Sequence, residues 1–89
     1  MCRNIKVLFN FEPPATDDEV RAAATQYVRK ISGYARPSTA NEAAFDRAVD
    51  EVARASSALL GSLVTTRPPR NREAEAARAH ERALRRFGT

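Results

Sequence analysis

The longest apolar rhythm in the chain runs from Phe45 to Leu63. Phe45, Val49, Val52, Ser56, Leu59 and Leu63 recur every three or four positions, with Leu60 beside them. That spacing places them on one face of a helix. It predicts a helix over about 40–63, with Thr39 and Glu42 spaced as a capping box at its start. A second stripe, Val20, Ala24, Tyr27, Val28 and Ile31, predicts an earlier helix. Its ends carry their own chemistry. Thr16 and Glu19 are spaced as a capping box, Asp17, Asp18 and Glu19 suit the positive end of the helix dipole, and Gly33 suits a left-handed cap. The link between these helices is short and broken by Pro37, which predicts antiparallel neighbours.

The two ends of the chain read differently. Ile5, Val7, Phe9 and Phe11 alternate as in a strand, while Ile5, Leu8 and Phe9 would share a helical face. A lone strand finds no partner in this pattern and isolated pairing is weak. The expectation is therefore a helical turn or extended segment lying across the helices, ended by Pro13 and Pro14. Beyond the linker at 65–69, Asn71 is placed to cap a third helix of about fifteen residues. Its apolar members are Ala76, Ala77, Ala83, Leu84 and Phe87, of which two are large. It docks by Leu84 and Phe87 or projects from the rest. Glu75 with Arg78 and Glu81 with Arg85 are favourable surface pairs along it.

The predicted fold is all-α: an antiparallel helical hairpin, an N-terminal apolar segment packed across it, and a third, charged helix. At 89 residues the chain reads as one domain, with 1–66 as helical core and 67–89 as a basic arm. Alanine supplies much of the apolar fraction and contributes little burial, so the core is thin and invites a homodimer or a protein partner to complete it.

Charge is unevenly placed. Residues 1–66 carry eight Lys/Arg and eight Asp/Glu, while 67–89 carry seven Arg and three Glu, which is the whole net charge of +4. Arg67, Arg70, Arg72, Arg78, Arg82, Arg85 and Arg86 are thus candidates for meeting nucleic acid. A solvated helix is the plainer reading, because so few net charges release few counterions. The second helix mixes Asp46, Asp50 and Glu51 with Arg47 and Arg54, which would repel phosphate. No aromatic platform for stacked bases is evident.

Cofactor and metal chemistry find little support. Cys2 and His80 are the only cysteine and histidine, so neither an internal disulfide nor a four-ligand zinc site is expected. No apolar run approaches the length of a membrane span or a signal peptide, and the cytoplasm is the expected location. Cys2 is a weak catalytic candidate. With Met1 removed, its amine would titrate near ~8 beside the thiol, and Arg3 would favour the thiolate. Arg3, Asn4, Lys6 and Asn10 form a candidate anion site, though no Gly-rich loop accompanies them.

The strings MCRNI, FNFEPPAT, RKISG, ANEAAFDRAVDEVA and TTRPPRNRE resemble a family of short uncharacterised bacterial proteins, defined as a domain of unknown function. The resemblance spans nearly the whole chain and implies a bacterial cytoplasmic protein. It carries over no reaction, ligand or catalytic residue. It does imply that members open Met-Cys-Arg-Asn, which adds weight to the terminal cysteine. Three functions follow as expectations. The first is a non-enzymatic helical interaction module. The second is a thiol-dependent enzyme or redox protein using Cys2, although the residues lean against an enzyme. The third is a nucleic-acid accessory acting through the C-terminal arginines.

Overall fold

The computed structural model describes residues 4–87. In order along the chain are β1 (Phe11–Glu12), α1 (Asp17–Ser32), a 3-10 turn (Thr39–Asn41), α2 (Glu42–Ser62), β2 (Arg70–Asn71) and α3 (Arg72–Phe87). The molecule is mostly helical. Among the described residues, no helix is long and apolar enough to cross a membrane.

Local chemistry sets both ends of α1. The Thr16 hydroxyl accepts from the Glu19 amide at 3.2 Å, and Glu19 Oε1 accepts from the Thr16 amide at 3.0 Å, so the expected capping box forms. At the other end Gly33 takes φ 81° and ψ 1°, and its N–H reaches the Arg29 carbonyl at 2.9 Å. That left-handed conformation costs a residue with a Cβ but not glycine.

The start of α2 departs from the pattern read at Thr39 and Glu42. Thr39 is taken into the 3-10 turn, α2 begins at Glu42, and no side chain caps its first amides. The polar side chains there satisfy one another instead, with Asn41 Nδ2 donating to Ser38 Oγ at 3.0 Å. Within the apolar stripe, Ser56 turns its hydroxyl back onto the Val52 carbonyl at 2.7 Å. It thereby brings no unpaired donor into the packing face.

The core lies between α1 and α2. Ala24, Val28 and Val49 are its buried centre, flanked by Phe45, Ala48, Val52 and Ala53, and Val20 is also buried. Arg21 and Asp50 bridge the two helices at 2.7 Å on the solvent side. The stripe is not covered along its whole length. Leu59 and Ile31 were expected to press inward but are 56% and 67% exposed, and Leu63 is exposed as well. Length is one reason. α2 has 21 residues against 16 in α1, so it outruns its neighbour by about 7.5 Å at 1.5 Å per residue.

From Asn4 to Asn10 the N-terminal segment is irregular, and it then finds a strand partner, which the sequence pattern did not offer. β1 pairs with β2 in parallel, Phe11 opposite Arg70 and Glu12 opposite Asn71. The Arg70 amide donates to the Asn10 carbonyl at 2.8 Å. Asn10 adopts φ 64°, a left-handed conformation that asparagine tolerates better than most residues. Its side-chain amide donates to the carbonyls of Arg67 and Pro68. Of the apolar positions, Val7 is 59% exposed and Ile5 43%, while Leu8, Phe9 and Phe11 are half-buried.

The molecule is flat and open. Its extents are 44 × 39 × 16 Å; the last is about the thickness of one pair of packed helices. Its radius of gyration is 15.8 Å, against about 12 Å for a compact chain of this length. α3 contributes to this, because among the helices and strands it packs closely only against β2, at its own start.

Candidate functional site

Two proline-proline breaks, Pro13-Pro14 and Pro68-Pro69, lie 55 positions apart in the chain. Proline has no backbone N–H and disfavours helix at the residue before it, and an extended stretch whose backbone needs partners lies beside each break, β1 before the first and β2 after the second. The stretches satisfy one another through β1 and β2, and side chains then lock them. Arg72 Nη1 meets Glu19 Oε2 at 2.7 Å and its Nε donates to the Pro13 carbonyl at 3.1 Å. The guanidinium groups of Arg70 and Arg72 stand 5.8 and 5.9 Å from the centroid of the Phe11 ring, within range of cation–π attraction.

Glu19 joins two helix ends. One carboxylate oxygen closes the cap of α1, while the other holds Arg72, the first residue of α3. The Arg72 hydrogen bond, followed by the Thr16 amide, draws the carboxyl down to a pKa of about 2. On the other flank of α3's start, Asn71 Oδ1 accepts from the Ala74 amide at 2.8 Å, the cap expected from sequence.

Beside this clasp lies a cleft of about 570 Å³ between the N-terminal segment and α3. One wall is Val7, Leu8 and Phe11, and the other is Ala76 and Ala79 of α3. Lys6, Arg70 and Arg82 reach into it from three separate stretches of chain. Its two carboxylates are engaged, Glu19 with Arg72 and Glu75 with Arg78, each at 2.7 Å.

The residues singled out from sequence are distributed around this geometry. Of the proposed anion group, Lys6 lines the cleft. Asn4 is bound to Gln26 of α1, and Asn10 is occupied with the 67–68 carbonyls. Of the arginines, Arg70, Arg72 and Arg82 converge on the cleft. Arg78 pairs with Glu75 and Arg85 is exposed along α3. Arg67 is exposed in the linker, and Arg86 stands near the end of α3. Cys2, Arg3 and the Phe87 side chain lie outside the described residues. Among those described, no group of three His, Cys, Asp or Glu is placed to hold a metal.

Phe11 and Glu19 were read from sequence as an apolar position and a cap. Their second roles, under the arginines and across to α3, were missed. The available signal was two diproline breaks, one preceded by an aromatic and the other followed by arginines.

These features define a small, mostly helical chain in which residues 10–13 and Glu19 are clasped to residues 67–72 beside a cationic cleft. The chain belongs to the family described as Uncharacterized conserved protein (DUF2277), which matches residues 1–78. No curated protein matches it, and no solved structure matches it.

Proposed function

We propose that the chain is a small non-enzymatic helical interaction module, with 1–66 as an antiparallel hairpin core and 67–89 as a basic helical arm held out to a second copy of itself. One observation carries this reading. The surface area is 7244 Å², about 2,000 Å² more than a compact monomer of this mass would expose. That excess is more than the share each partner buries in a standard specific interface, about 800 Å².

The apolar side chains left in water support the same reading. Leu84 on α3 is 55% exposed, and Leu59, Leu63 and Val64 are exposed where α2 runs out. A bacterial, cytoplasmic placement is what the family resemblance implies.

The test is mass measurement by light scattering and sedimentation across micromolar concentrations, for the wild type and Leu84→Asp. A wild-type dimer that Leu84→Asp converts to a folded monomer is expected. A wild type that stays monomeric throughout would refute the proposal.

A further inference from the structure

We propose that the cleft between the N-terminal segment and α3 binds a small nucleotide carrying two or more phosphates, with the phosphates on Lys6, Arg70 and Arg82 and the base against the apolar wall.

Charge accounting comes first. Six ionisable side chains line the cleft: Lys6, Arg70, Arg72, Arg82, Glu19 and Glu75. Glu19 is neutralised by Arg72, and Glu75 by Arg78 from outside the cleft. Among the described residues, no carboxylate pairs with Lys6, Arg70 or Arg82. Three uncompensated positive charges therefore face one space, and they come from three different segments, which a single solvated helix face would not produce. A monophosphate ester brings only about −1.5 to −2 charges at neutral pH. Matching three cations takes at least two phosphates. A lone carboxylate would leave most of the repulsion among them in place.

Shape and lining supply the second half. A volume of about 570 Å³ falls in the ordinary range for small organic ligands, about 300–1,000 Å³. Val7, Leu8, Ala76 and Ala79 would be idle beside inorganic phosphate alone, since they reward an apolar body attached to the anion. The Phe11 ring and the Arg72 guanidinium beside it offer flat, polarisable surface suited to an aromatic base. The site rests on the N-terminal segment, β2 and α3 as far as Arg82, all from one chain, so it holds whether the molecule is one copy or two.

The experiment is calorimetric titration of the full chain with ADP, with inorganic pyrophosphate, and with a single-stranded RNA oligonucleotide. Lys6→Gln and Arg82→Gln test the site. Both side chains are exposed and take no part in the clasp, and circular dichroism checks that each variant is folded. Arg85→Gln, exposed on α3 and outside the cleft lining, is the control.

Saturable ADP binding, tighter than pyrophosphate, is expected. Each cleft variant should weaken it by about fivefold, the scale of one exposed charge contact, while Arg85→Gln leaves it unchanged. Amide shifts on ADP addition should centre on residues 7–11 and 76–82. No saturable binding, equal affinity for pyrophosphate and ADP, or equal weakening by Arg85→Gln would each overturn the proposal. RNA binding that is tighter than ADP and grows with oligonucleotide length would overturn it in favour of a nucleic-acid surface.

Discussion

Replacing Arg72 with methionine keeps much of the side-chain stem and removes the guanidinium. The structure sets what is lost. The group makes a 2.7 Å ion-paired hydrogen bond to Glu19, a 3.1 Å hydrogen bond to the Pro13 carbonyl, and a ring contact at 5.9 Å from the Phe11 centroid. The paired side chains are 31% and 24% exposed, so they are partly shielded from water. The drop in the Glu19 pKa from 4.5 to about 2 puts a ceiling near ~3 kcal/mol on what that carboxylate gains. Solvent screening brings the whole contact set to about 2 kcal/mol.

The pH dependence has a definite sign. The folded pKa is depressed, so the stabilisation is complete above about 4.5, the unfolded value, and fades as the pH falls toward 2. In Arg72→Met the Glu19 carboxyl should titrate closer to 4.5, held down only by the Thr16 cap, and acid should cost the variant less than the wild type. Carboxyl-carbon NMR gives the pKa, and amide hydrogen exchange over 74–84 gives the freedom of α3. A Glu19 pKa that stays near 2 in the variant, or unchanged exchange along α3, would refute the assignment of the contact.

Two further outcomes follow from the helix pair. Gly33→Ala adds a Cβ that meets nothing within 4 Å, so its cost is the left-handed backbone alone, about 1 kcal/mol by urea unfolding, with Gly33→Asn costing less. Val49→Ala removes two methyl groups from a residue only 3% exposed and should cost about 2 kcal/mol, lowering Tm by roughly 10 °C; a change of only 1–2 °C would mean that Val49 is not at the centre of the core.

Legibility in the sequence tracked the range of the interactions. The caps at Thr16 and Gly33 were readable because donor and acceptor lie within four residues of each other. Asn71 was readable for the same reason. Spacing put Leu59 and Leu63 on the same face as Val49 but carried no information on how far α1 would reach to cover them. The pairing of Phe11 with Arg70 was invisible, since a two-residue strand has no alternation to detect and its partner is 59 positions away. Arg70 and Arg72 looked like members of a basic arm. Their assignment to the Phe11 ring and Glu19 depends on where the helices bring residues 11–19 and 70–72, which no local pattern encodes.

The bonds between Asn10 or Pro13 and residues 67–72 close a ring of about sixty residues without a covalent link. Drawing the ends of so long a stretch together from a free coil costs roughly 3–4 kcal/mol in chain entropy, more than these few surface bonds return. The fastening therefore holds only while the helices between its halves keep the ends in reach. Opening it would free α3 while leaving the packing of α1 on α2 in place.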